Sequence, residues 1–139
     1  MITALALPPG ARAALRAHAD RESPRECCGL LIGRIVSGRA QVEQVIPGAN
    51  LAPSHDLYLL DPEDFVRADA DASARGFEVV GFYHSHPRGP ARLSRTDLAG
   101  AWPEYAYLLI SPPIGSDSGF SAWILPPDGQ SFAPVTLEG

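Results

Sequence analysis

The sequence predicts an α/β fold in which helices flank a mixed central β-sheet as a sandwich. Helical and strand-like segments follow in the order helix, strands, helix, strand, short helix, strands, which favours a mixed sheet over an all-parallel one. The 139 residues suffice for one domain with one core. A content of 45% hydrophobic and 19% charged residues is typical of a globular chain. We therefore expect a single domain over residues 1–139.

The first half of the chain predicts one helix and a β-hairpin. Residues 10–20 have helical spacing, and Pro24 prevents the helix from continuing. Residues 27–38 form an apolar run that predicts a buried strand. Residues 39–50 alternate in polarity and are predicted to pair with it, before a loop over residues 47–56.

The second half predicts a second helix, followed mainly by strands. Asp61 and Pro62 form a typical helix start, and Gly76 is suited to its end. Residues 77–86 are rich in β-branched and aromatic side chains, which favours a strand. The remaining predictions are a short helix at 94–102, strands at 104–111 and 119–125, and a weak edge strand after Pro126.

Charge and hydropathy exclude several classes of protein. The net charge of -5 and the pI near 5.2 lack the basic surface of a nucleic-acid-binding protein. No apolar run approaches the roughly 20 residues of a membrane-spanning helix. The N-terminal residues carry no basic segment of the kind found in signal peptides, so we expect a cytoplasmic protein with no membrane partner.

The two cysteines are adjacent, at Cys27 and Cys28. Neighbouring cysteines rarely bridge each other, which argues against a disulfide-stabilised secreted scaffold. Thiolates also bind zinc, so either residue could join a metal site, but core packing is the favoured interpretation. His18 and His55 are expected at the surface, and Trp102 and Trp123 in the core or lining a groove.

His84 and His86 are the first candidates for a metal site. Side chains two residues apart in a strand point to the same face, so both imidazoles can reach one ion while Ser85 points away. The alternative is a pair of surface histidines at a strand end.

The segment Ser94–Asp97 allows two compatible interpretations. Its pattern is that of a capping box at a helix start. The preceding loop, residues 87–93, contains two prolines and a glycine and can turn the helix back towards the strand. Asp97 could then be a third ligand, which leaves zinc one open position for water, as in catalytic sites. Ser94 could start the helix and also direct its hydroxyl at a reacting oxygen.

Glu26 is the candidate proton acceptor. Hydrolysis at a metal needs a base for the attacking water, and this carboxylate lies directly before the apolar 27–33 run. The alternative is an exposed charge at a strand end.

Together these segments resemble the JAMM (MPN-plus) zinc metalloprotease family, in particular its short bacterial branch. That family has a glutamate upstream, then His-Ser/Thr-His, seven residues, Ser, two residues and Asp. SPRECCGLLIG and HSHPRGPARLSRTD match it without a gap, and the similarity extends over nearly the whole chain.

The resemblance implies the JAMM/MPN sandwich, which is similar to the fold of cytidine deaminases. It implies one zinc ion per chain held by His84, His86 and Asp97, with Glu26 as general base and acid and Ser94 stabilising the oxyanion. It further implies hydrolysis of the amide bond after the Gly-Gly tail of a ubiquitin-like or sulfur-carrier protein.

Other functions fit less well. A non-catalytic MPN scaffold would be expected to lack some of these residues. A zinc deaminase would need His-x-Glu and a later Pro-Cys-x-x-Cys, which this sequence lacks. A DNA-repair-associated relative of the fold finds no support in the acidic pI.

Overall fold

The computed structural model describes residues 1–112 and 119–139, which form seven strands and three helices. The strands are β1 (Ala4–Ala6), β2 (Cys28–Val36), β3 (Arg39–Pro47), β4 (Glu78–Ser85), β5 (Ala106–Ile110), β6 (Phe120–Ile124) and β7 (Ala133–Glu138). The helices are α1 (Ala11–Glu22), α2 (Pro62–Ala74) and α3 (Arg95–Ala99). None of the helices in the described ranges is long and apolar enough to cross a membrane.

The strands form one mixed sheet that closes on itself in the order β1-β3-β2-β4-β5-β6-β7. The pairs β1–β3, β1–β7 and β4–β5 are parallel, and the others are antiparallel. The predicted α/β class with a mixed sheet is thereby confirmed. The predicted C-terminal edge strand is wrong, because β7 pairs with both β6 and β1. The three-residue strand β1, which the sequence analysis did not predict, closes the sheet.

The apolar run in β2 is explained by two hydrophobic clusters on opposite sides of the sheet. Leu31 packs in a cluster with residues of α1, including Leu15. Leu30 and Ile32 point the other way and pack with residues of α2, including Ala68. Because a strand alternates its side chains, a strand covered on both faces has no polar positions.

The helix boundaries follow local capping. The side chain of Asp61 accepts a hydrogen bond from the Glu63 amide, and Pro62 opens α2 as predicted. Gly76, just beyond α2, has φ 80°, the conformation expected of a helix-terminating glycine. The helix predicted at 94–102 is shorter, because the amide of Gly100 already closes the last turn of α3.

Candidate metal centre

Four buried side chains come together at one end of the sheet: Glu26, His84, His86 and Asp97. One potential ligand atom of each lies within 4.8 Å of the corresponding atoms of the others. Glu26 precedes β2, His84 lies in β4 and His86 directly after it, and Asp97 belongs to the first turn of α3. The structure therefore brings together the four residues that the sequence indicated as metal ligands and base.

Pairing between β2 and β4 places the base beside the histidines. Cys28 is directly opposite His84 in the antiparallel register, so Glu26, two residues earlier, continues towards His86 on the same face. Ser85 points to the other face, where its Oγ accepts a hydrogen bond from the Cys27 amide at 2.8 Å. This agrees with the predicted direction of Ser85.

Asp97 caps α3 and contacts both histidines. Its Oδ2 accepts a hydrogen bond from the Ser94 amide at 2.7 Å, and Ser94 Oγ accepts one from the Asp97 amide at 3.0 Å. The same Oδ2 lies 3.1 Å from His86 Nε2 and 3.3 Å from His84 Nε2. The capping box therefore exists, and it also holds the carboxylate against the two imidazoles.

The hydrogen bonds of His86 leave Nε2 directed at this cluster. Its Nδ1 is 3.0 Å from the Pro90 carbonyl oxygen, which can only accept, so Nδ1 carries a proton. In the neutral ring, Nε2 is then an acceptor that faces the carboxylate of Asp97. Two acceptors at this distance require a proton or a metal ion between them.

Other polar atoms of the cluster are buried without hydrogen-bond partners among the described residues. These atoms are Glu26 Oε1 and both ring nitrogens of His84, whose Nε2 makes no hydrogen bond although Asp97 Oδ2 lies 3.3 Å away. A buried polar atom without a partner costs about 1–3 kcal/mol. A cation bound between the two imidazoles and the Asp97 carboxylate would give one of the His84 ring nitrogens a partner, so the residues fit a divalent metal.

Burial and neighbouring charges adjust the protonation of the cluster. Burial lowers the pKa of His84. Burial opposes ionisation of Asp97, but the two histidines outweigh it and hold the pKa of that carboxyl well below its usual range. His84 and Asp97 thus favour the neutral imidazole and the ionised carboxylate that bind metals. Burial lowers the pKa of His86, but its contacts with Asp97 and Pro90 outweigh this and raise it, so a metal ion would have to displace a proton there.

Glu26 has a different environment. Burial raises its pKa from 4.5 to about 7, with Asp97 adding to the rise and His86 opposing it. A carboxyl group that titrates near neutral pH can both accept and return a proton, which suits a general base and acid.

Two further residues at the site were not identified as functional from the sequence. The ring of Tyr58 stacks on that of His84, with a centroid distance of 4.2 Å and an interplanar angle of 20°. Asn50 joins the backbone of Leu57, next to Tyr58, to the backbone of Glu26. No local motif marks either residue. The one available signal was the family resemblance, which extends over the loop around Asn50.

Cys27 and Cys28 are free and buried, and neither belongs to the metal group in the described part of the chain. Their predicted core packing is confirmed. The surface position expected for His18 is wrong. This side chain is buried, and its Nδ1 lies 2.7 Å from Tyr83 Oη. His55 is exposed as predicted.

The two tryptophans lie outside the fully buried core. Trp102 is 59% exposed, and Trp123 is half-buried. Trp102 still contacts Phe65 of α2, at a centroid distance of 6.2 Å.

Comparison with known proteins identifies the family. Residues 8–131 match the family described as prokaryotic homologs of the JAB domain, and the chain belongs to this family. It is 38% identical over 134 residues to a probable TtuB-protein conjugate cleaving protease of Thermus thermophilus, covering 96% of this chain and 83% of the relative. It is 40% identical over 103 residues to the CysO-cysteine peptidase of Mycobacterium tuberculosis, covering 70% and 66%.

A solved structure has a similar fold. The solution structure of protein DSY2949 from Desulfitobacterium hafniense superimposes with a TM-score of 0.80 at 31% identity, covering 96% of this chain and 92% of that protein.

Proposed function

We propose that this protein is a zinc-dependent peptidase or isopeptidase of the JAMM type, with the JAMM/MPN sandwich arrangement. It hydrolyses the amide bond that follows the Gly-Gly tail of a ubiquitin-like or sulfur-carrier protein. The observation that carries the proposal is the buried group of two histidines, an aspartate and a glutamate, with polar atoms of His84 and Glu26 left without partners among the described residues.

His84, His86 and Asp97 would hold the zinc ion. Nitrogen and carboxylate oxygen are suitable ligands, and three protein ligands leave a fourth position open, as in catalytic zinc sites. When bound, zinc increases the acidity of water and polarises a carbonyl group.

Glu26 takes the proton of the attacking water and returns it to the leaving amine. Its pKa near 7 in the metal-free protein, caused first by burial, fits both steps. Ser94 Oγ accepts a hydrogen bond from the amide of Asp97, so the hydroxyl proton can point towards the substrate. It donates to the carbonyl oxygen as negative charge develops there.

The burial of the site supports a glycine-rich substrate. His84 is fully buried and His86 nearly so, which restricts the space around the reacting bond. A tail without side chains can approach such a site more closely than other sequences. The names of two relatives, a probable TtuB-protein conjugate cleaving protease and a CysO-cysteine peptidase, point to a protein conjugate or a cysteine adduct as the substrates of those proteins. We extend this substrate class, an amide at the end of a small carrier protein, to this chain.

The test is incubation of the zinc-loaded protein with three substrates, read by mass spectrometry. They are a sulfur-carrier protein extended by a peptide beyond Gly-Gly, the same carrier joined to a lysine side chain, and its cysteine adduct. Release of the carrier at the Gly-Gly end is expected for at least one, and Glu26→Gln, with zinc retained, should abolish it. Zinc binding with no cleavage of any substrate would instead favour a non-catalytic domain.

A further inference from the structure

The two histidines of the metal group are held in different ways. His86 is oriented by a hydrogen bond from its Nδ1 to the Pro90 carbonyl, the kind of contact that metal-binding histidines usually make. His84 Nδ1 is buried and has no such partner among the described residues. The orientation of the His84 ring is therefore set by Asp97, whose Oδ2 lies 3.3 Å from Nε2, and by packing.

Tyr58 provides that packing. Its ring lies nearly parallel to the imidazole of His84, with centroids 4.2 Å apart. Tyr58 belongs to no helix or strand, and comes from the segment of residues 51–60, here called the Tyr58 loop. Such a loop holds a ring in place only if its own backbone is fixed.

Hydrophobic packing fixes the Tyr58 loop at Ala52, which is buried, and at Leu60, which packs against the α2 cluster, but only weakly beside Tyr58 itself. Leu51 and Leu59 are 52% and 57% exposed, although both are large apolar residues. The conformation of the loop therefore depends largely on hydrogen bonds. Two of these do not involve the Asn50 side chain: the Leu51 amide donates to the Leu59 carbonyl at 2.8 Å, and Arg25 donates to the Ala52 carbonyl at 2.6 Å.

Asn50 makes the hydrogen bonds on both sides of Tyr58. Its Nδ2 donates to the Leu57 carbonyl at 3.1 Å, and its Oδ1 accepts from the Leu59 amide at 2.9 Å. The residues directly before and after Tyr58 are thus tied to one side chain.

Of the other two side-chain bonds of Asn50, one joins this loop to Glu26 and one lies within the loop. Nδ2 also donates to the Glu26 carbonyl at 2.9 Å, and Oδ1 also accepts from the Ala52 amide at 2.9 Å. The side chain uses two donors and two acceptors, its full capacity. Two carbonyls face Nδ2 and two amides face Oδ1, so the opposite orientation of the amide group would break all four bonds.

We propose that Asn50 is a positioning residue, which holds Tyr58 against His84 and thereby orients that imidazole for the metal. Asn50 contacts no side chain of the metal group; its one bond to that group is to the Glu26 backbone carbonyl, and it acts on His84 through the ring of Tyr58. The inference rests on the proposed metal site, but not on the proposed substrate.

The test measures the zinc dissociation constant by competition with a chelator in four variants: Asn50→Ala, Tyr58→Ala, the double variant, and Tyr58→Phe. Contacts that orient a metal ligand typically change affinity about 10-fold. We expect about 10-fold weaker binding for each of the first two variants and no further loss in the double variant. Tyr58→Phe keeps the ring and should bind zinc as the natural chain does.

Ser54→Ala is the matched control. Ser54 Oγ accepts a hydrogen bond from the Asp56 amide within the same loop, without involving Asn50. Its removal should leave zinc affinity unchanged. Additive losses in the double variant, or unchanged affinity in Asn50→Ala, would overturn the proposal.

Hydrogen exchange of the metal-free protein separates this inference from the metal assignment. Asn50→Ala should accelerate exchange of the Ala52 and Leu59 amides by about 10-fold, the effect of a lost hydrogen bond, while exchange in β2 and β4 stays unchanged. If the natural chain bound no zinc, the proposed function would fail, and the exchange rates would still decide whether Asn50 fixes the loop. Unchanged rates at both amides would show that it does not.

Discussion

The capping box of α3 allows the structural and metal-binding functions of one motif to be separated. Ser94 and Asp97 exchange hydrogen bonds across the first turn, at 3.0 and 2.7 Å, and only Asp97 also reaches the histidines. We compare Ser94→Ala, which removes one capping bond and keeps the carboxylate, with Asp97→Asn, which keeps an acceptor for the Ser94 amide and removes the charge.

In the metal-free protein, both changes should cost similar amounts of stability. Loss of a serine cap costs about 1 kcal/mol. Asp97→Asn replaces a charge-assisted contact with His86 by a neutral one, and we expect a loss of about 1 kcal/mol as well. The two variants are thus matched in free energy of unfolding, although they differ at the metal site.

Zinc should stabilise the two variants to different extents. An ion at 100 times its dissociation constant stabilises the folded state by about 2.7 kcal/mol. Ser94→Ala should gain this increment as the natural chain does. Asp97→Asn, with affinity at least about 100-fold weaker, should gain less than about 0.5 kcal/mol at the same zinc concentration.

The assay is urea unfolding of each variant, with and without zinc, supported by metal analysis. Equal zinc-dependent stabilisation of the two variants would refute the ligand role of Asp97 and leave the segment as a helix cap alone.

Three further outcomes are expected. Native Cys27 and Cys28 should resist alkylation at pH 8 and react only after unfolding, because burial raises the pKa of their thiols to about 11 and 12; rapid modification of the folded protein would contradict this. Burial lowers the pKa of His18 below 6.5, so between pH 6.5 and that lower pKa the unfolded chain binds more protons there than the folded protein. The free energy of unfolding should therefore fall as the pH falls through this window. His18→Gln should reduce the slope of the unfolding free energy against pH there, and an unchanged slope would exclude the effect. Gly81→Ala should destabilise the protein by about 2 kcal/mol or more in thermal unfolding, because the new methyl group would meet the Ala106 carbonyl of β5, and unchanged stability would show that the strands can separate.

Much of the site could be predicted because its ligands follow local rules. The His84 and His86 side chains share a face through strand periodicity, and Asp97 is set by the first turn of a capped helix. The approach of Glu26 depends on the register between β2 and β4, which local sequence does not specify, and the family resemblance indicated it instead.

The remaining features depend on contacts between distant segments. β1 has only three residues, and its partners lie in β3 and β7. No local sequence pattern therefore indicates that β1 closes the sheet. For the same reason, β7 was predicted as an edge strand. Tyr58 and Asn50 lie in an irregular segment of the chain. They reach His84 and Glu26 only because this segment folds over the site, and no residue spacing in the sequence indicates these contacts.

Cleavage of a Gly-Gly-extended sulfur-carrier fusion, followed by mass spectrometry, tests the central claim most directly. The zinc-loaded protein should release a carrier whose mass corresponds to a chain that ends at the second glycine. The same protein treated with a chelator, or carrying Glu26→Gln, should release none. Cleavage that persists at full rate in zinc-loaded Glu26→Gln, or no cleavage by the zinc-loaded natural chain, would contradict the account.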